Sequence, residues 1–465
     1  MIFSALGETD TISGSCHFLL IRGTGLILDA GVDPEEEGPA SLPDFERIHR
    51  RHDWYVDHAI ITHAQHDHIG SLPVLFQHFP HVKAHMTHAT RELADFVLAA
   101  SARLQRRKLR EGSASHEPLF SEEEVDIYGY LYFAHELEES FDVTGLRGET
   151  KVDATFYNAG HILGSAGVLL EFEEDNRSRR VFYTSDTNLR SQTIIPGAEY
   201  PEGEVDTLIL ESTLGADADA EQTTRREEEK RLVESLKMIV ERGGSALIPV
   251  FAMGRAQETL ALIHRYKGRG VIPEDVPVYT AGGLRAVSDL YDRLRLTTPR
   301  LDAGYQVYGI EQRRLPRSAA ALDNALSEPG IYVVSSGMMF ERTLSNRLAQ
   351  RLIENPKNGV LLVGFAREDS PADRVLRAYQ QEPGTSVVID EDRGPQPVNA
   401  VVDRFRLSSH SHRRDLIALV EKLKPKDIVL VHGETTAKDW LADNIRFFYP
   451  DIHLHVPSRG EAIEL

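Results

Sequence analysis

The most informative part of the sequence is Thr62-His63-Ala64-Gln65-His66-Asp67-His68. The apolar run 56–61 before it predicts a short buried strand, and the run 69–73 after it predicts a turn into a helix. Three imidazoles and one carboxylate are therefore expected in a single loop at a strand end. Imidazole nitrogens and carboxylate oxygens are usual ligands of Zn²⁺ and similar cations. The loop predicts a metal site, with a solvated histidine-rich turn as the alternative.

The composition indicates a globular protein of two or three domains. The chain has 465 residues, of which 41% are hydrophobic and 27% are charged. No apolar run reaches the roughly 18 residues of a membrane-spanning helix, so no membrane association is expected. Residues 1–8 lack the pattern of a secretory signal, and the single cysteine, Cys16, fits a reducing compartment. We therefore expect a cytoplasmic protein.

The net charge of −20 bears on the class of ligand. A nucleic-acid-binding protein usually carries a basic surface, so this charge argues mildly against tight binding of polyanions. A local basic groove or bound cations can reverse the sign where a substrate binds, so nucleic acid stays open as a ligand.

Histidine and acidic residues follow several other predicted strands. Asp29 ends the second strand of a hairpin with a glycine-rich turn, and Asp186 follows the apolar run 181–185. His161 lies between glycines, and such small residues leave an imidazole room to enter a cleft. A single acidic residue after a strand is usually a turn residue. Histidine and aspartate that recur in this way indicate a metal site.

These residues resemble the motifs of the metallo-β-lactamase fold. His63, Asp67 and His68 match its H-x-H-x-D-H signature, and Gln65 stands where the second histidine is expected. His66 occupies the variable position that follows. Three further residues resemble the first, third and fourth motifs of the fold: Asp29, His161 and Asp186.

The second half of the chain resembles a narrower group, the β-CASP branch that acts on nucleic acids. The run 211–215 (Glu-Ser-Thr-Leu-Gly) resembles its motif A, and the run 245–258 resembles a β-CASP strand, loop and helix. His410 resembles motif B, with His412 in place of the expected aspartate. His432 resembles motif C, where a histidine is typical of the RNA-acting members. The resemblance covers nearly the whole chain and points to RNA-processing nucleases of the cleavage and polyadenylation endonuclease type, in their bacterial and archaeal form.

The resemblance implies an α/β fold, an αββα metallo-β-lactamase sandwich with an inserted parallel α/β β-CASP cap domain. The expected limits are 1–208 and 389–465 for the two parts of the sandwich and 209–388 for the cap. Predicted strands at 276–280, 330–335 and 359–365 alternate with helices, which favours a parallel sheet in the cap. Residues 87–145 are predicted to be helical.

The resemblance also implies a metal-binding set. The first metal is assigned to His63 and His161, the second to Asp67, His68 and His432, and Asp186 bridges the two. Two zinc ions are expected, with Mn²⁺ as the alternative. Because the amide of Gln65 is a poorer ligand than imidazole, the first site is expected to be weak or empty. Three protein ligands and a water still make a legitimate catalytic zinc site.

Catalytic roles follow from the same resemblance. Asp67 is assigned to catalysis as a ligand beside the attacking water. His410 is expected to meet the scissile phosphate or to protonate the leaving oxygen. Glu211 is expected to orient a ligating histidine, and Asp29 and Gln65 are expected beside the ligands.

Three residues of the predicted cap are expected to bind substrate phosphates. Ser336 and Gly337 lie in a predicted strand-to-helix turn, where backbone N–H groups and hydroxyls can bind an anion. Arg255 lies in the run that resembles a β-CASP loop and helix.

We therefore expect a metal-dependent ribonuclease that hydrolyses phosphodiester bonds of single-stranded RNA through a metal-activated water. One alternative is a catalytically degenerate, nuclease-like subunit that binds RNA or a partner, and retention of six of seven expected ligands argues against it. Another is a hydrolase of small esters or thioesters, against which motif A, the cap and His432 argue. A homodimer is an open expectation.

Overall fold

The computed structural model describes residues 1–12, 14–316, 318–364 and 366–465. The chain packs into two compact units. The first comprises residues 1–191, 197–218 and 410–465, and the second comprises residues 192–196 and 219–409. None of the helices in these described ranges combines the length and the apolar character that a bilayer crossing requires.

The strands are β1 (Ile2–Ala5), β2 (His17–Ile21), β3 (Thr24–Leu28), β4 (His58–Ile60), β5 (Lys83–Thr87), β6 (Tyr132–His135), β7 (Ser140–Asp142), β8 (Val152–Asn158), β9 (Ala166–Glu174), β10 (Arg177–Tyr183), β11 (Thr207–Glu211), β12 (Ala246–Pro249), β13 (Val278–Thr280), β14 (Arg313–Arg314), β15 (Ile331–Val334), β16 (Gly359–Val363), β17 (Ser386–Val387), β18 (Gln396–Pro397), β19 (Val401–Phe405), β20 (Asp427–Val431), β21 (His453–His455) and β22 (Ala462–Glu464).

The helices are α1 (Glu46–His49), α2 (His66–Ile69), α3 (Leu72–His78), α4 (His88–Arg110), α5 (Glu122–Tyr128), α6 (Arg225–Glu241), α7 (Arg255–Gly268), α8 (Gly283–Arg293), α9 (Ala319–Ala325), α10 (Leu344–Leu352), α11 (Pro371–Gln381), α12 (Arg413–Leu423) and α13 (Thr435–Phe448). Local sequence fixes several of their starts. Ser121 and Thr224 precede α5 and α6, and each forms a reciprocal capping pair with the glutamate three residues on.

The first unit is a sandwich of two seven-stranded sheets. Their strand orders are β22-β1-β2-β3-β4-β5-β6 and β21-β20-β11-β10-β9-β8-β7. The core between them combines apolar residues of both sheets, such as Leu26 and Ile60 from one and Phe156 and Val168 from the other. Helices α1 to α5 pack on the outer face of the first sheet, and α12 and α13 pack on the second. The predicted αββα sandwich is confirmed.

Parallel pairing brings the functional residues to one edge of this unit. In the first sheet β3 and β4 run parallel, with Leu28 opposite Ile60. In the second sheet β10, β11 and β20 run parallel. Because the carboxyl ends of parallel strands meet at one edge, residues that follow these strands lie close together. Three of them adopt a left-handed backbone conformation, Asp29 (φ 60°), Ser185 (φ 48°) and His432 (φ 49°), which turns the chain sharply at the edge.

The second unit is a parallel α/β domain. Its six-stranded sheet has the order β14-β13-β15-β12-β16-β19, and every neighbouring pair is parallel. Residues such as Leu247, Tyr332, Val334 and Leu348 form its core. The predicted parallel cap is confirmed, and β13, β15 and β16 fall within the three predicted strands. Residue 365, the end of the predicted strand 359–365, lies outside the described residues.

The limits of the second unit differ from those expected from the sequence. The unit extends from residue 219 to residue 409, whereas the expected cap runs from 209 to 388. The difference at the C-terminal side arises because β19 pairs with β16 and so completes the edge of the cap sheet. The identity of that partner strand depends on a long-range pairing that the residues of β19 do not reveal.

The prediction of helix throughout residues 87–145 is wrong for the last part of this range, after α5. Helices α4 and α5 lie within this range, but residues 132–135 and 140–142 form β6 and β7. β6 extends the first sheet by pairing with β5. The apolar residue Ile127, near the end of α5, is 56% exposed.

Candidate metal centre

Asp29 organises the loop that carries the first three histidine and aspartate candidates. Its carboxylate accepts hydrogen bonds from the backbone N–H of Thr62 (2.8 Å) and from the Thr62 hydroxyl (2.9 Å). It also accepts hydrogen bonds from Nδ1 of His68 and from the Tyr183 hydroxyl, both at 2.9 Å. The Asp29 side chain is fully buried. These bonds direct Nε2 of His68 away from Asp29 and toward the edge of the sandwich.

The second site is the set Asp67, His68, His432 and Asp186. Oδ2 of Asp67 is 3.8 Å from Nε2 of His68 and 3.6 Å from Nε2 of His432. Oδ1 of Asp186 is 3.5 Å from Nε2 of His68. Two ligands of one tetrahedral zinc ion, each bonded at about 2.0–2.1 Å, lie roughly 3.4 Å apart. The second site therefore has the spacing of a metal-binding set.

The hydrogen-bond inventory of the second site supports the same conclusion. His68 and His432 are buried, yet Nε2 of each has no hydrogen-bond partner within the described part of the chain. A buried polar atom without a partner is destabilising by about 1–3 kcal/mol, so each instance calls for an explanation. A cation coordinated by both nitrogens satisfies them. The residues present therefore fit a divalent metal.

The first site is the set His63, His161 and Asp186, with Gln65 beside it. Oδ2 of Asp186 is 3.7 Å from Nε2 of His63 and 3.6 Å from Nε2 of His161. Gln65 differs from the other members because its Oε1 lies 3.1 Å from Nε2 of His63 and 2.6 Å from Nε2 of His161. Both imidazole nitrogens of the first site are therefore hydrogen-bonded to the Gln65 amide.

Glu211 links His410 and His432 at the centre. Its carboxylate lies 3.0 Å from Nδ1 of His410, and it accepts a hydrogen bond of 2.7 Å from the backbone N–H of Thr187. The Thr213 hydroxyl donates to Glu211 over 2.5 Å and lies 3.0 Å from Nδ1 of His432. Glu211 thus contacts His410 directly and reaches His432 through Thr213.

Burial and charge act against each other in the second site. Burial disfavours a charged imidazole, but the carboxylates of Asp186 and Asp29 outweigh it and raise the pKa of His68 well above its usual value. Burial likewise disfavours the charged form of Asp186, and the imidazoles of His432 and His68 outweigh it and hold the pKa of Asp186 well below its usual range. The carboxylates of the second site are therefore ionised and attract a cation.

In the first site, burial outweighs the nearby carboxylates in its effect on the pKa of His63. Burial, followed by the neighbouring His68, holds the pKa of His63 well below its usual value. His63 is therefore a neutral imidazole, which suits its hydrogen bond to an uncharged amide.

The structure brings all six predicted ligands into this cluster, together with His410 and Glu211. His66, the fourth residue of the loop after Thr62, points elsewhere, because its Nε2 lies 2.8 Å from the hydroxyl of Ser101 on α4. Two contributors were missed by sequence reasoning, Tyr183 and Thr213. Thr213 belongs to the motif A run and could have been noticed there, whereas nothing near Tyr183 in the sequence signals its bond to Asp29.

The predicted phosphate-binding residues belong to the second unit. Arg255 begins α7 after β12, and Ser336 and Gly337 follow β15. Since β12 and β15 are neighbouring parallel strands, both turns lie at the same edge of the cap sheet. A Cβ atom at Gly337 would lie 3.3 Å from the ring of Phe251, so this turn packs closely against the one that follows β12.

Comparison with known proteins places these features in a family. Models of the metallo-β-lactamase superfamily, of the Beta-Casp domain and of a Zn-dependent metallo-hydrolase RNA specificity domain match residues 9–177, 256–375 and 395–457. The order of the three matches agrees with a sandwich that is interrupted by a cap.

Several known proteins are similar to this chain over most of its length. It is 29% identical to the endoribonuclease ysh-1 of Neurospora crassa over 93% of its own length and 52% of the relative's. It is 30% identical to an RNase J-like protein of Methanocaldococcus jannaschii over 92% of its own length and 91% of the relative's. The chain thus spans about half the length of the Neurospora protein and most of the Methanocaldococcus protein.

A solved structure shows the same fold. The crystal structure of a protein of unknown function from Enterococcus faecalis matches with a TM-score of 0.58 over 100% of this chain and 99% of that chain, at 14% sequence identity. At that identity the likeness concerns the fold alone. The family models and the archaeal relative carry the assignment further: this chain belongs to the β-CASP family of RNA nucleases within the metallo-β-lactamase superfamily.

Proposed function

We propose that this protein is a metal-dependent ribonuclease that hydrolyses phosphodiester bonds of single-stranded RNA. The observation that carries the proposal is the second site, where two buried imidazole nitrogens, on His68 and His432, face the carboxylates of Asp67 and Asp186 without hydrogen-bond partners among the described residues. A site of this kind is built for a cation rather than for internal hydrogen bonding.

The residues of the second site would bind the metal. A divalent cation bound there supplies a water molecule of lowered pKa and neutralises charge on a phosphoryl oxygen. We propose Zn²⁺, because imidazole and carboxylate ligands suit it, with Mn²⁺ as the alternative. Asp29 supports the set by fixing the ring of His68, as partners of ligating histidines commonly do.

His410 is placed to move a proton during the reaction. Its Nδ1 is 3.0 Å from the carboxylate of Glu211, which turns Nε2 to the opposite side of the ring. The ring centroid of His410 is 4.6 Å from that of His161 and 6.2 Å from that of His432, so the ring lies against the predicted metal ligands. The Glu211 carboxylate stabilises a protonated His410. A protonated imidazole can donate to the leaving oxygen of the ribose, which is general acid catalysis.

RNA is the proposed substrate for two reasons. The part of the chain at 395–457 matches a model described as an RNA specificity domain, and His432 lies in it. Relatives that cover most of this chain include one named an endoribonuclease and one named an RNase J-like protein. Because the chain has a net charge of −20, it needs local positive charge where RNA binds. A bound cation would provide part of that positive charge.

The cap is proposed to bind the phosphates of the substrate strand. Arg255, Ser336 and Gly337 lie in turns at one edge of a parallel sheet, where α/β domains usually bind ligands. The Arg255 side chain carries a positive charge, and the turn at Ser336 and Gly337 offers a hydroxyl and backbone N–H groups.

A cleavage assay tests the proposal. A 5′-labelled unstructured RNA is incubated with the protein in Zn²⁺, in Mn²⁺ and in excess chelator. We expect metal-dependent cleavage that Asp186→Asn abolishes and that the same substitution at the exposed Asp451 leaves intact. RNA binding without cleavage by well-folded protein in both metals would contradict the proposal and favour a nuclease-derived binding subunit.

The same preparations can be examined for the predicted homodimer, and localisation of the full protein tests the predicted cytoplasmic location.

A further inference from the structure

We infer that Gln65 closes the first site and that the chain binds a single metal ion, in the second site. This inference deepens the proposed function, because it names how many cations the centre uses and which residue sets that number. It is carried by the different ways in which the two sites satisfy their buried imidazole nitrogens.

In the first site the Gln65 amide occupies the position between the two histidines. Its Oε1 is 2.6 Å from Nε2 of His161 and 3.1 Å from Nε2 of His63. Two ligands of one tetrahedral zinc ion lie roughly 3.4 Å apart, so the amide oxygen is too close to His161 to share a cation with it. The separation of 2.6 Å is that of a hydrogen bond.

These hydrogen bonds compete with metal coordination by the same nitrogen atoms. An amide oxygen only accepts hydrogen bonds, so Nε2 of both His63 and His161 must carry the proton. A metal must displace that proton and break the hydrogen bond to Gln65 before it can coordinate the nitrogen. If the amide is rotated so that its NH₂ group faces the histidines, the lone pairs accept its protons instead. Either orientation of Gln65 engages both nitrogens.

The backbone of Gln65 is held in place by hydrogen bonds at the start of α2. Gln65 precedes α2, and its carbonyl oxygen accepts hydrogen bonds from the backbone N–H groups of His68 (2.9 Å) and Ile69 (3.0 Å). The side chain leaves this anchored turn toward the first site, and it is partly buried there. The amide is therefore part of the centre.

The second site shows the opposite arrangement. Nε2 of His68 and Nε2 of His432 lack hydrogen-bond partners in the described ranges, although both rings are buried. Among the described residues, no side-chain amide is hydrogen-bonded to either of these Nε2 atoms. The imidazoles of the first site are thus hydrogen-bonded within the protein, whereas those of the second site are available to a ligand. This difference is the pattern expected for a centre that binds a single cation.

The inference is tested by counting metal without RNA. The purified protein is loaded with Zn²⁺, dialysed against metal-free buffer and analysed for zinc per chain. We expect one ion for the wild type and two for Gln65→His, because an imidazole restores a ligand and removes the amide. Two ions on the wild type, or one ion on folded Gln65→His, would overturn the inference.

Two matched variants locate the ion. His432→Ala should lose it, whereas His63→Ala, the same substitution at a buried histidine of the first site, should keep one ion per chain. Retention of the ion by His432→Ala would place it in the first site and contradict the inference. A crystal structure of the zinc-loaded wild type, with anomalous scattering, answers the same question without any variant. These measurements contain no RNA, so the number of zinc ions per chain can be determined even if the protein does not cleave RNA. Conversely, a number other than one would overturn this inference without contradicting a positive cleavage assay.

Discussion

Asp29 and His68 form a fully buried pair in which Oδ2 of the carboxylate lies 2.9 Å from Nδ1 of the imidazole. The bond fixes the direction of the His68 ring, so that Nε2 faces the second site. Because Asp29 also accepts bonds from Thr62 and Tyr183, this one carboxylate couples the metal-binding loop to both sheets of the sandwich.

The first prediction concerns this pair. Asp29→Asn should weaken zinc binding by roughly 10–100-fold, the usual effect of removing the partner of a ligating histidine. Asparagine tolerates the left-handed backbone of residue 29 (φ 60°), so the chain should still fold. A competition titration with a chromophoric chelator measures the affinity. A folded variant with unchanged affinity would show that Asp29 does not orient His68.

A second prediction separates proton transfer from metal binding. His410→Ala should lower the rate of RNA cleavage by roughly 10²–10⁴-fold, the range of general acid–base catalysis. Its zinc content should equal that of the wild type, because His410 is bound to Glu211 and is not among the second-site ligands. Loss of the metal from this variant would instead make His410 a ligand.

A third prediction concerns the cap. Arg255→Met keeps the length of the side chain and removes its charge, so RNA binding should weaken. The slope of log affinity against log salt should fall by about 0.7, as for one lost phosphate contact on a single strand. Arg377→Met is the matched control, because Arg377 is a half-buried cap residue already paired with Asp369 and Asp373. Equal binding by both variants would assign Arg255, which is 93% buried, to the packing of α7 instead.

A fourth prediction concerns stability at acid pH. Three histidines on adjacent strands form a hydrogen-bonded row in which His85 lies between His58 (3.0 Å) and His135 (2.8 Å). Burial, with smaller contributions from His58, His135 and Lys83, lowers the pKa of His85 to about 3. The unfolded chain, with a value near 6.5, therefore binds the proton more readily. Stability should be full above pH 6.5 and should decline as the pH falls toward 3.

Denaturant unfolding at several pH values measures this effect. Each unit below pH 6.5 should cost up to about 1.4 kcal/mol for this one group. His85→Gln retains a donor and an acceptor but does not titrate, so its stability should fall less steeply with pH. Equal slopes for the two proteins would show that His85 does not contribute to the acid sensitivity.

The sequence predicted which side chains come together at the centre, because their positions follow from local rules. Asp29, His161, Asp186 and His432 each follow a strand, and a strand end can be recognised from apolar, β-branched residues and the turn beyond them. Parallel pairing then brings these ends together. The αββα sandwich and the cap could be predicted for the same reason, with the family motifs supplying their order.

The remaining features depend on contacts that are distant in the sequence. Whether Gln65 enters the centre, and whether His66 turns toward Ser101, is decided by the four-residue helix α2 and by its packing against α4. The pairing of β19 with the cap sheet and the bond of Tyr183 to Asp29 join residues far apart in the chain. No local pattern encodes such partners.

The most direct measurement of the central claim is single-turnover cleavage of a labelled single-stranded RNA before and after metal removal. The protein is stripped with a chelator, desalted and divided, and one part is restored with one equivalent of Zn²⁺ per chain. We predict no cleavage by the stripped protein, recovery in the restored part, and no recovery in restored His432→Ala. Cleavage that survives complete stripping, or that never returns with Zn²⁺ or Mn²⁺ in folded protein, would contradict the account.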